Sequence, residues 1–306
     1  MATKVPFGEL VLAATLPPTT GKYYFVHSGT GSNGNSGLKP ERALATVDYA
    51  TDKCTASKGD VVVIMPGHAE TVTSSSMTLD KAGVTYVCLG NRQNGPVFTY
   101  SAATGTINVT AANVKWIGGY FIANVLDVAS AWTVAGDDFT LEGGDYIDSS
   151  AILNFLSVVT TTAVANAADG LTIKGVYHLG LNTTPLAFVS ILENCDRLTI
   201  LDCFVDKAST ADVGHFLTIA DKECLGVRIG RNILNVVGAT AASVGIFITG
   251  SSTANTGMVH NNLVTSLDTT GALLLTATLN FAVQENYLSG VVAASGTLFP
   301  AADNPA

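Results

Sequence analysis

Apolar positions along this chain recur as pairs separated by one residue, followed by a small or polar corner and then another apolar or aromatic residue. The clearest copies are 114–122 (VKWIGGYFI) and 139–147 (FTLEGGDYI), which align without a gap at an offset of about 25 residues. Self-similarity at such a period is the signature of a coil repeated along an axis. The unit returns at Leu171/Ile173, Leu198/Ile200, Val227/Ile229, Val259 (with Gly257 in the first position) and Phe281/Val283; a degenerate copy spans 84–90, and Val61 and Val63 open the series. Intervals of roughly 24 to 32 residues predict a solenoid of constant strands and variable loops, because insertions bulge outward without disturbing the stack.

The pattern divides the chain into an arm (1–21), a leading segment (22–60), coils (61–290) and a tail (291–306). Pro17-Pro18 in the arm resists both helix and central strand. In the leading segment Tyr23 to Val26 reads as a strand, and 29–37 (GTGSNGNSG) as a tight loop whose Gly and Asn residues accept positive φ. Pro40 then opens a helix carrying Leu44, Val47, Ala50 and Cys54 at helical spacing, ended by Gly59. Placed before the first coil, that helix plugs the open end of the core, where bare apolar side chains and unpaired strands need a cap. In the tail, Leu298 and Phe299 have little to bury them locally and are expected to dock on a neighbouring subunit or another partner.

Counting from the anchors yields two further columns. Cys195 and Cys224 each precede an anchor by five residues, so they stack on neighbouring coils. Strands about 4.8 Å apart leave a disulfide within reach, and buried free thiols are the other reading. Two residues after the anchor come Asp202, Arg231, Asn261 and Glu285, an outward polar column in which Asp202 and Arg231 form a surface ion pair.

The stretch YYFVHSGTGSNGNSGLKPERALATVDYATDKC and the following KGDVVVIMPG resembles the opening of pectate-lyase-like right-handed parallel β-helix proteins, particularly those of tailed bacteriophages. The resemblance implies an all-β fold, a single-stranded right-handed parallel β-helix with a short N-terminal capping helix. It also implies an asparagine ladder at a coil corner, formed by Asn232, Asn262 and Asn286 three residues after their anchors, with Cys203 one coil earlier. Stacked amides there satisfy corner groups that are otherwise buried without partners.

Apolar residues make up 47% of the chain and charged residues 13%, about half the usual share. No run of about 18 apolar residues exists to span a bilayer, and the first residues show no signal-peptide cleavage pattern. A net charge of −9 with scattered Lys and Arg argues against nucleic-acid binding. The five cysteines contain no CxxC pair, so neither a zinc site nor a disulfide framework is expected.

The chemistry of this fold's enzymes is sparse here. Asp202 and Glu285 lie three coils apart, roughly 14 Å, beyond the about 9.5 Å limit for a hydrolytic carboxylate pair. Asp137 with Asp138, and Asp202 with Asp206, converge only in loops. Gly67-His68 and Gly214-His215 are fragments of the polygalacturonase motif set without their partners, and His68 reads as a turn residue. Thr73 to Ser76 reads as a loop, Trp116 as core, and Trp132 as exposed at the next coil. The sequence therefore predicts no catalytic, metal or cofactor site and no enzyme. The resemblance implies a structural protein of a phage virion, a homotrimeric capsid decoration or cement protein made in the host cytoplasm, and so few charges over a thin solenoid imply apolar surface buried between subunits. The alternative is a tailspike polysaccharide depolymerase, either lyase or glycoside hydrolase, or a carbohydrate-binding appendage contacting host surface glycan.

Overall fold

A computed structural model describes residues 16–74, 76–181, 187–207, 215–220, 222–236, 246–249, 255–266, 273–275, 280–289 and 297–299. The chain visits three sheets in turn. Sheet I begins with Tyr23–Val26 and sheet II with Ala69–Val72, each of ten strands; sheet III begins with Met77–Leu79 and has eight. Strands of successive coils pair in parallel, giving the all-β solenoid expected from the repeats. The expected opening of the coils at Val61 is one rung late, because Tyr23–Val26 already pairs in register with Val61–Ile64.

Register explains cohesion. Along sheet I one inward column runs Val62, Tyr86, Trp116, Leu141, Ile173, Ile200, Ile229, Val259 and Val283. On sheet II, Phe98, Phe121 and Tyr146 stack face to face, with centroids 5.2 and 4.5 Å apart. Trp116 and Trp132 meet edge to face at 5.1 Å in the same interior. Trp132 is thus not exposed but fully buried, and its indole N–H donates to the Tyr146 hydroxyl at 2.6 Å.

The leading helix is shorter than its periodicity predicts. Pro40–Arg42 is one 3-10 turn and the α-helix is only Val47–Lys53. Leu44 between them is extended, because it bridges to Val26 and exchanges backbone hydrogen bonds with Phe25 and His27. The helix begins at Thr46, whose hydroxyl accepts from the Tyr49 N–H. It stops at Cys54, ahead of Gly59. Val47 and Ala50 are buried in the core, and Thr51 hydrogen-bonds the Tyr86 hydroxyl, so the helix is pinned against the first coils.

His68 closes the expected turn, its N–H bonding Met65 O at 3.2 Å, and its side chain is buried. Its Nδ1 accepts from the Ser28 N–H, leaving Nε2–H to donate to Glu70, which in turn accepts from the Val47 N–H at the helix start. The group ties leading strand, first coil and helix together. At the far end the tail strand Thr297–Phe299 pairs antiparallel with Asn286–Ser289, so this backbone extends sheet II of its own chain. The arm up to residue 15, Gly214, Pro300 and Pro305 lie outside the described residues.

Ile200 sits mid-column and is fully buried. Ile200→Ala is expected to cost about 2–5 kcal/mol, read as a lower urea midpoint; an unchanged midpoint contradicts the stacked core.

Candidate functional site

From Gly118 onward the chain turns between sheets I and II in a tight corner of one or two residues, whereas the two earlier connections are longer, 65–68 and 89–96. The first corner position is left-handed throughout the coils from Gly118 onward: Gly118, Gly143, Gly175, Asp202, Arg231, Asn261 and Glu285 have φ between 49° and 75°. A left-handed residue reverses the strand direction in the least space, and each corner N–H bonds a carbonyl of the next coil, as Asp202 does to Gly230 at 3.2 Å. Arg231 and Glu285 hold this geometry without the local side-chain advantage of Asn or Asp. Their side chains point out, and Arg231 makes two 2.7 Å bonds to Asp202, holding the Asp202 carboxyl below its ordinary range.

The second corner position points inward, and its occupants divide the molecule. In the later coils Asn232, Asn262 and Asn286 stand in one buried column. Asn232 Nδ2 donates to Asn262 Oδ1 at 2.9 Å, and Asn262 Nδ2 to Asn286 Oδ1 at 2.8 Å. Each side-chain oxygen also accepts the backbone N–H of the coil before, beginning with Cys203 on Asn232 at 2.9 Å. At another corner Cys224 Sγ accepts from the Cys195 N–H at 3.4 Å, while Cys195 Sγ donates to Ala168 O at 3.0 Å. Both cysteines are free thiols. Asn255 continues this column, accepting from the Cys224 N–H at 2.5 Å. Sequence reasoning missed it because it lies four residues before its anchor rather than five.

In the earlier coils the same inward position is Gly119 and Gly144. A larger residue at Gly119 is strained and crowded: φ is +101°, and an added Cβ would lie 3.1 Å from the Phe121 ring and 3.2 Å from Cys88 Sγ. The missing side chains leave a cleft of about 200 Å³ lined by Cys88, Gly118, Gly119, Gly144, Tyr120 and Asp145, with the 91–95 turn as its far wall. Asn91 is the hub of that turn, its side chain accepting from Gln93 N–H and its carbonyl from Gly95 N–H, and Asn94 O accepts from Gly67 N–H. Arg92 extends from the turn across two coils. Its Nε and Nη2 donate to Asp145 at 3.2 and 3.0 Å, and its guanidinium lies 4.9 Å from the Tyr177 ring centroid and 5.9 Å from that of Tyr120. The carboxylate pushes the guanidinium pKa further up, so Arg92 is a fixed cation and not a base.

Tyr120 and Asp145 head an outward column on sheet II that continues through Tyr177, Phe204, Ile233, Leu263 and Tyr287. Tyr177 and Phe204 stack at 5.3 Å, and Ile233, Leu263 and Tyr287 are exposed by 43%, 43% and 51%. None of these was identified from the sequence, although the signal was present: each lies four residues after its anchor, next to the asparagine column. Asp138 faces Arg197 at 3.5 Å, apart from this cleft. Among the described residues no group of three or more His, Cys, Asp or Glu side chains could hold a metal ion.

Two predictions follow from the columns. Asn262→Ala strands the Asn232 N–H groups, each buried orphan costing about 1–3 kcal/mol, and a thermal midpoint equal to wild type would refute the ladder's role. Burial raises the thiols of Cys54 and Cys203 to about 12 and of Cys224 to about 11. The native protein should therefore resist a thiol reagent until urea is added. Because the folded values are raised, their contribution to stability is full below the ordinary thiol range and lost as pH climbs from there toward about 12; a pH-independent urea midpoint over that window would count against it.

No protein-family model matches the chain, and no curated protein matches it in sequence. Among solved structures it is similar to a rhamnogalacturonan lyase, at 13% identity over 87% of each chain with a TM-score of 0.42. Nothing in these comparisons points to a phage particle. The expectation of a chain that is not an enzyme finds no support in these comparisons: the similar structure is named a rhamnogalacturonan lyase.

Proposed function

We propose that this chain binds an anionic polysaccharide along the outer column of sheet II and cleaves it at the Arg92 cleft. The observation that carries the reading is the Arg92 guanidinium, held by Asp145 between Tyr120 and Tyr177 at the head of an apolar strip. Tyr177 and Phe204 stack on each other, so a sugar would pack on the outward edges of the rings and on the exposed aliphatic side chains, and coils rise by about 4.8 Å, comparable with the length of one pyranose ring. A fixed cation suits the carboxylate of a uronate. Among the described residues Asp145 is the one carboxylate lining the cleft, whereas hydrolysis needs a pair about 5–9.5 Å apart. Elimination needs one base: a proton leaves the carbon beside the uronate carboxylate, the glycosidic C–O bond breaks, a C=C bond forms, and the departing oxygen takes a proton. Arg92 would stabilise the charge that builds on the uronate, the Asp145 carboxylate would take the proton from the carbon, and the Tyr120 hydroxyl would give one to the departing oxygen.

A second reading, a trimer on a phage particle, is favoured by Ile233 and Leu263, which are aliphatic and offer no ring to a sugar. Light scattering separates the two: a trimer of about 95 kDa, three times 31.5 kDa, supports assembly, and a monomer leaves the strip free for glycan.

Incubation with rhamnogalacturonan and with polygalacturonate should release unsaturated uronates, followed by their ultraviolet absorbance. Arg92→Ala should abolish the signal, and Tyr177→Ala should weaken binding about tenfold, or about 1.4 kcal/mol. Binding without unsaturated product removes the cleavage step, and no binding of either polymer overturns the reading.

A further inference from the structure

The strip beside the cleft is not open at both ends. Five consecutive coils, from Tyr287 through Leu263, Ile233 and Phe204 to Tyr177, present a ring or an aliphatic side chain outward. That is about 19 Å at 4.8 Å per coil. At the sixth coil the residue is Asp145, and the guanidinium of Arg92 lies over it, within 4.9 Å of the Tyr177 ring centroid and 5.9 Å of the Tyr120 centroid. The cation thus stands on the stacking surface itself. Its backbone is fixed and its head is tethered: the 91–95 turn is locked by Asn91 and tied to Gly67, and Asp145 holds the guanidinium by two hydrogen bonds. A polymer lying along the strip from the Tyr287 side therefore meets a charged stop at Tyr177.

Charge agrees with the geometry. Flanking the strip, Asp202 is neutralised by Arg231, and Glu285 accepts a hydrogen bond from Asn261 at 2.7 Å. At the stop, Nε and Nη2 of Arg92 are engaged by Asp145, while its Nη1 makes no hydrogen bond among the described residues. We infer that the strip receives the end of an anionic polysaccharide chain, with the terminal sugar against Arg92, rather than an internal segment of a continuing chain. This inference rests on the proposed glycan binding and adds the mode of recognition.

The probe is a series of oligogalacturonides and polygalacturonate fractions of graded length, titrated calorimetrically into the whole protein. End recognition gives one bound protein per chain at every length, with affinity rising only until the five rungs are covered. Arg92→Ala, which removes the stop, should then bind several copies on long chains. Several wild-type copies on long chains would overturn end recognition and leave glycan binding standing. Absence of binding at every length would overturn both. The wild-type series decides the matter even where the variant fails to fold.

Discussion

Parallel pairing without slippage is the constraint on which this molecule rests. A shift of one residue in any strand would turn its inward side chains to solvent and break the column for every coil beyond it. The register is held from inside by unlike means along the axis. In the earlier coils large rings do it: Phe98, Phe121 and Tyr146 stack nearly parallel, and Trp116 and Trp132 wedge against them. In the later coils the inward column of sheet I is aliphatic, at Ile200, Ile229 and Val259, while Phe188 and Phe216 continue a ring stack on sheet III, and the hydrogen-bonded asparagines at the corner add a further lock on the alignment.

The change of corner chemistry along the axis also creates the site. An asparagine at the second corner position fills the corner and satisfies the backbone of its neighbour. A glycine leaves both space and an open peptide face. At Gly119 and Gly144 a positive φ and the nearby Phe121 and Tyr146 rings disfavour a side chain, and the cleft lies against these bare corners. The 91–95 turn forms its far wall and brings Arg92 to Asp145.

Burial decides which polar groups hold the fold. His68 joins Glu70, Ser28 and the helix start, and Asp148 accepts from the N–H groups of Phe155 and Leu181 at 2.9 and 2.8 Å. These act as staples between loop and coil, each satisfying backbone groups that no strand partner reaches. Arg92 and Asp145, by contrast, remain partly exposed and satisfy no backbone group, which leaves them available to a ligand.

The coil period, the inward anchors and the leading strand with its plug were legible in the chain, because each is a property of spacing along one dimension, and the asparagine corners came from the resemblance of the opening segment. Even the outward column lay at a constant offset from the anchors and was available to the same count. What only the folded molecule decided is where loops of unequal length bring their side chains. Arg92 reaches Asp145 and Tyr177 because its turn arches over two coils; Trp132 is interior because its strand belongs to sheet III; and Leu44 is extended because Val26 offers it a bridge. Strand positions inherit their neighbours from the register, whereas a loop residue finds its neighbours only when the coils have stacked, and the cleft is lined by loops and corners.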